Sequence, residues 1–257
     1  MDRNALQESF EIEDVPRWTC PTCVRARLRL VGEFILRVDA ATKREHNEDY
    51  WEPEWSNYVF NGLLECGECH EPVMVTGIAA VEPNYRDMDE GTGYRYSQYL
   101  TPRYFTPPLK IISPELNDQV PSEVLALLNK ASEIFWCDPD SCLNRLRSVA
   151  EQILTYHNVP TLDSRRKHIP LGRRIQMFDK PEYAEVKDAL TAARHIGNEG
   201  SHGFSGATRD ELLDSFAVIE YCLLQFFPIQ RDHSKVKKFI AGVIKNEGFR
   251  PKPSVDD

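Results

Sequence analysis

Two pairs of cysteines hold the plainest chemistry in this chain. "CPTC" at Cys20–Cys23 and "CGEC" at Cys66–Cys69 each set two thiols two residues apart. A tight turn over that spacing presents both sulfurs to one ion, and two such turns close a tetrahedral site. Cys20, Cys23, Cys66 and Cys69 would fill all four positions, leaving none for water or substrate, so the expected cofactor is a structural Zn2+. His70 follows Cys69 directly and stands as an alternative ligand in its place. The 42 residues between the pairs exceed the commonest short spacing and call for strands with an inserted loop. Cys137, Cys142 and Cys222 form no knuckle, and Cys222 is embedded in "VIEYCLLQFF", so they read as buried thiols. An odd total of seven, with four in tight pairs, argues against a disulfide framework and for a reducing compartment.

The second chemically dense run is "AARHIGNEGSHGF", Ala192 to Phe204. On a helix Arg194, Asn198 and His202 fall at i, i+4 and i+8, which places a guanidinium, an amide and an imidazole on one stripe. These groups can bind a phosphate, orient it and move a proton. They can equally form a satisfied network that fixes helix packing, with Arg194 paired to Glu151. His195 reads as a surface residue. Gly197 and Gly200 each weaken a helix by about 1 kcal/mol relative to alanine, so either another backbone packs closely there or the helix ends near Gly200. Arg147 and Glu151, four apart in "RLRSVAEQIL", face this stripe across a bundle in the same reading. Arg165, Arg166, Lys167, Arg173 and Arg174 in "DSRRKHIPLGRR" form a basic loop suited either to a phosphate backbone or to solvent.

The elements that must position these groups change character along the chain. "VRARLRLVGEFILRVDAATK" alternates and is rich in Val, Leu and Ile, as a half-buried strand pair would be. Apolar runs on both sides of the second cysteine pair predict strand, knuckle, strand. Between Glu82 and Val120, "YLTPRYFTPPLKIISPEL" has too many prolines for a helix interior and too little alternation for a central strand, which places a linker there. Beyond it the period becomes helical. Pro121 opens one helix, Asp138 caps a second that begins at Pro139, and a short one surrounds Ile175. A longer helix is expected from about Tyr183 to the neighbourhood of His202. Thr208 and Glu211 make a capping box for "RDELLDSFAVIEYCLLQFF", whose apolar residues on most sides mark it as central, and a last helix runs from Ser234 to Asn246 before Gly248. The expected fold is α+β: a small zinc-ribbon β domain over 1–82, a Pro/Tyr-rich linker over 83–120 and a helical bundle over 121–257.

With 257 residues, 41% hydrophobic and 28% charged, the chain has a globular composition. Residues 1–100 hold 19 Asp and Glu against 10 Lys and Arg; subtracting from totals of 40 and 31 leaves 21 of each sign afterwards. An acidic first half is a poor general binder of phosphate backbones, so any nucleic-acid contact must be local. The acidic opening is unlike a secretory signal and no run is long enough for a bilayer, so a cytoplasmic protein without membrane contact is expected. No P-loop, HExxH pair or nucleophile elbow is present, which leaves nucleotide hydrolysis, metalloprotease and α/β-hydrolase chemistry without residues.

"RLRSVAE", Arg145 to Glu151, and "RHIGNEGSH", Arg194 to His202, together resemble DUF4145, a family of unknown function whose helical segment with Arg and Glu precedes an Arg…Gly-Asn…His element. The resemblance spans about residues 113–228, and an N-terminal zinc ribbon is frequent in that family. It implies a HEPN-like helical bundle, a fold with many metal-independent ribonucleases of toxin and antiphage systems. Their motif places four to six residues between Arg and His; here seven separate Arg194 from His202, and six separate His195 from His202. The resemblance implies an RNA-binding protein or endoribonuclease of prokaryotic defence, with Arg194, Asn198 and His202 as catalytic residues and a homodimer sharing the site. The other expectation is a non-catalytic zinc-containing adaptor that docks a protein partner in a nuclease or defence complex.

Overall fold

The computed structural model describes residues 2–84, 95–112, 116, 120–201, 206–226 and 234–249. Residues 2–109 and 110–257 form two compact units. The first is a five-stranded antiparallel sheet in the order β1-β5-β4-β3-β2, and the second is built of helices. The chain is therefore α+β, as its patterning implies.

In the sheet unit, β1 (Phe10–Glu11) is a short edge, and β2 (Leu28–Val38) pairs with β3 (Asn57–Cys66). β3 pairs with β4 (Pro72–Asn84), and β4 with β5 (Arg95–Thr106). The alternating stretch expected as a strand pair is one strand, β2. Its register breaks between Val31 and Ile35, with Gly32 at φ 75°, so a bulge bends the chain within the strand where a turn was anticipated. A short helix, α1 (Ala40–Glu45), follows, and the Asp39 carboxylate caps it by accepting the Thr42 N–H at 2.7 Å.

β5 lies in the proline-rich stretch expected as a linker. It pairs with β4 throughout but with β1 over only two residues, so much of its outer side is a sheet edge, where proline is tolerated. Pro102 stands opposite Gly77 at a register break, and a Cβ on Gly77 would overlap the Thr101 carbonyl. Only glycine fits there. One face of the sheet is sealed by an aromatic cluster in which Trp18 meets Phe10 and Phe105 edge-on at 5.4 and 5.0 Å. Such pairs add about 0.5–1.5 kcal/mol each beyond their buried area.

The helical unit contains α2 (Ser122–Ile134), α3 (Pro139–Tyr156), α4 (Leu171–Met177), α5 (Ala184–Ser201), α6 (Arg209–Phe226) and α7 (Ser234–Asn246). Its start and stop signals are those anticipated. The Asp138 carboxylate accepts from the Ser141 amide at 3.0 Å. Thr208 and Glu211 exchange reciprocal bonds, Thr208 N–H to Glu211 Oε2 at 2.8 Å and Glu211 N–H to Thr208 Oγ1 at 3.3 Å. After α7, Glu247 adopts φ 51° and the Gly248 amide donates back to the Val243 carbonyl. Along α6, residues on nearly every side are buried, including Phe216, Ile219, Tyr221 and Cys222, which makes it the central helix.

Candidate metal centre and helical polar cluster

The two cysteine pairs sit in matching turns. Val24 N–H donates to the Cys20 carbonyl at 3.1 Å, and His70 N–H to the Cys66 carbonyl at 3.2 Å. Both residues just past the second cysteine adopt left-handed backbone, Val24 at φ 52° and His70 at φ 58°. For a β-branched valine that conformation costs roughly 1–3 kcal/mol and persists only where the surroundings dictate it. The outcome is convergence of four sulfurs, all within 4.8 Å of one another. Cys20 and Cys69 Sγ lie 3.7 Å apart, Cys23 and Cys66 Sγ 3.6 Å. Metal–sulfur bonds of about 2.3 Å in a tetrahedron give sulfur–sulfur edges of about 3.8 Å, so the four thiols fit one ion.

Backbone amides are aimed at these sulfurs. Thr22 N–H points to Cys20 Sγ at 3.4 Å, and Glu68 and Cys69 N–H to Cys66 Sγ at 3.4 and 3.5 Å. Burial raises the Cys20 thiol, whereas the Ala26 and Arg25 amides draw Cys23 down to about 6. The His70 imidazole is turned to Glu65, 2.9 Å from Nδ1 to Oε1, and is exposed, so the cluster is four cysteines. All seven cysteines are free thiols. Cys142 and Cys222 are buried as expected, and desolvation pushes both well above the ordinary thiol value.

In the helical unit, α5 lies against α3 because its glycines have no side chain to hold the helices apart. A Cβ on Gly197 would overlap Arg147 Cβ, and one on Gly200 would overlap the Asp140 carbonyl. Of the two anticipated explanations for these glycines, the close approach of another helix is the one observed. One turn earlier, the Arg194 guanidinium lies over α4, where a Cβ on Gly172 would overlap Nη1. Arg194 Nη2 donates to His195 Nε2 at 2.9 Å, while its buried Nε has no hydrogen-bond partner among the described residues. His195 is half-buried and engaged, unlike the surface residue expected.

Glu151 does not pair with Arg194. It stands 3.7 Å from Arg147 Nε on its own helix, each side chain about 30% exposed. Asn198 is half-buried on the α5 stripe. His202, expected to complete that stripe, lies outside the described residues.

The basic segment divides in two. Leu162 and His168 form an antiparallel bridge, and Asp163 Oδ1 accepts the amides of Arg165 and Lys167 at 2.8 and 2.9 Å. This compact hairpin leaves Arg165, Arg166 and Lys167 exposed, and Arg173 is exposed on α4. Arg174 departs from the expected phosphate-binding set: it is 2% exposed. Its guanidinium donates to the Pro160, Glu151 and Val159 carbonyls and to Thr155 Oγ1, tying the end of α3 to the loop. Desolvation lowers its pKa, with Glu151 acting in the opposite sense. Sequence spacing did not separate this arginine from its neighbours, although the apolar Leu171, one turn before it, and Ile175, next to it, mark α4's inner face.

Residues 129–239 match the family model of DUF4145, a domain of unknown function. The match begins further along and extends further than the stretch anticipated from the two motifs. The α3–α5 contact, with Arg147 against Gly197, lies within the matched residues. Residues 8–105 match DUF8608, another domain of unknown function, and these include all five strands and the four cysteines, apart from the last residue of β5. No curated protein and no solved structure matches the chain. Among the described residues no helix is long and apolar enough to cross a membrane.

Proposed function

We propose that the chain is a zinc-stapled, HEPN-like RNA-binding protein whose helical unit carries a metal-independent endoribonuclease site in a prokaryotic defence system. The observation that carries this reading is the placement of Arg194 over Gly172. The exposed cationic hairpin of Arg165, Arg166 and Lys167 runs into α4 within a few residues, so it and Arg194 serve one neighbourhood of the bundle. Phosphates held by the hairpin and by Arg173 would lie close to the α5 stripe.

In the reaction, an RNA 2′-hydroxyl would attack the adjacent phosphate and expel the 5′-oxygen of the next nucleotide, leaving a 2′,3′-cyclic phosphate and a 5′-hydroxyl; His202 would move the proton between the two oxygens, with Arg194 stabilising charge on the phosphoryl oxygens and Asn198 orienting the substrate. The site would be shared across a cytoplasmic homodimer. The four thiolates would hold Zn2+, whose filled coordination shell gives it a structural role and keeps it out of the chemistry.

The test uses the purified full chain on tRNA and mixed RNAs without added divalent ions. Cleavage that disappears in His202→Ala and Arg194→Ala, while RNA binding persists, supports the reading. Wild type that neither binds nor cleaves any RNA ends it. A second reading, a non-catalytic adaptor within a defence complex, is favoured by the pairing of Arg194 with His195 and of Arg147 with Glu151, which engages these groups inside the bundle. It requires stable co-purification with a protein partner and no turnover.

A further inference from the structure

The face of the sheet opposite Trp18 is apolar and open. Register sets Val31, Leu63 and Met74 side by side across β2, β3 and β4, with Val59 beside Ile78 in a parallel row. Between those rows, Ile35 and Tyr104 flank Asn61 and Thr76. These aliphatic and aromatic side chains are between 38% and 57% exposed. Their neighbours one residue along, such as Phe60, Leu64, Val73, Val75 and Ala79, are buried on the other face. An antiparallel sheet with one wet face ordinarily alternates apolar and polar residues; this one carries hydrophobic residues on both.

We infer that this open face is where a second copy of the chain docks, sheet against sheet. The exposed apolar side chains leave on the order of 600 Å² on one copy, at the top of what a monomer ordinarily carries. Two such faces stacked at the usual spacing of about 10 Å would bury on the order of 1,200 Å², where stable interfaces begin. Charge at the margins fits a copy of itself. Arg29 and Arg37 lie on the open face of edge strand β2, opposite Glu65 and Val59. At the far edge, Phe10 of β1 is buried, so Glu11 takes the open side beside Tyr99. A two-fold axis parallel to the strands and near β4 carries the arginine margin of each copy over the Glu11 margin of the other. The contact is isologous and closed, so it yields a dimer without further growth. It is independent of the ribonuclease reading and of any dimer made through the helices.

Sedimentation velocity of the metal-loaded full chain across micromolar concentrations tests this. Val59→Glu and Ile78→Glu are each expected to halve the mass of the wild type, from dimer to monomer, or from tetramer to dimer where the helices also pair, with unchanged metal content and circular dichroism. If either loses metal or fold, the near-isosteric Val59→Thr, paired with Ile78→Thr, is measured in its place and should weaken the dimer roughly tenfold or more. A monomeric wild type overturns the inference. So does an oligomer whose mass these substitutions leave unchanged, or an apolar partner of different sequence occupying the face in its stead.

Discussion

Gly197 on α5 rests directly against the Cβ of Arg147 on α3, with no room for a methyl group between them. The two residues lie in the two motifs that carry the resemblance to DUF4145, and both fall within the stretch that matches that family's model. Arg147 contributes its stem to the helix packing and its charge to Glu151. The glycine lets α5 sink far enough for Arg194 to reach α4.

Replacing that glycine tests the contact. In an isolated helix Gly197→Ala is favourable by about 1 kcal/mol. Here the added methyl meets a backbone-attached carbon that cannot swing aside, and the expected net effect is a loss of roughly 1–3 kcal/mol. Urea unfolding of the full chain reads the sign directly, and a more stable variant would contradict the packing described.

The arginines near α4 should separate cleanly by measurement. Arg174→Met strips donors from three carbonyls and a hydroxyl in a dry environment and is expected to cost about 3 kcal/mol or more. Arg166→Ala, at an exposed hairpin position, should lie within about 0.5 kcal/mol of wild type. If RNA is the ligand, Arg166→Ala lowers affinity and reduces the slope of log K against log salt by roughly 0.7 on single strands.

Metal removal should act on the sheet unit. Purified chain is expected to carry one ion, retained by Cys142→Ser and lost by Cys20→Ser. Chelation should release the two knuckles and expose Trp18, whose carbonyl accepts from Leu28 N–H beside Cys20. A red shift of tryptophan emission with persistent helical circular dichroism is the expected signature. Full retention of metal in Cys20→Ser would dismiss the four-thiolate site.

His157 gives the helical unit a pH dependence. Its ring packs 4.0 Å from that of Phe226 and 5.6 Å from that of Phe178, and desolvation, followed by the nearby Lys180 charge, lowers its pKa from 6.5. The unfolded chain therefore binds this proton first as pH falls. The stability contribution is complete above about 6.5 and is lost progressively below it, down to the folded-state value. His157→Phe should flatten the stability profile across that window, as thermal melts at several pH values would reveal; an unchanged slope would remove His157 as the source.

Features that depend on near neighbours are legible in the residue order alone. Both cysteine knuckles, the Asp138 cap, the Thr208–Glu211 box and the stop at Gly248 rest on interactions within a few residues, so spacing suffices to read them. The apolar sides of α6 were legible because burial on all sides leaves no polar stripe. Tertiary structure decided what depends on register and on partners distant in the chain. Pro102 sits in a strand because β4 offers a glycine opposite it, and β2 stays one strand because a bulge absorbs the break. Arg174 is interred while Arg166 is exposed, since one faces the end of α3 and the other the tip of a hairpin. Local pattern assigns a residue its type of neighbourhood, but an arginine's partners and a sheet's open face are set by chain segments tens of residues away.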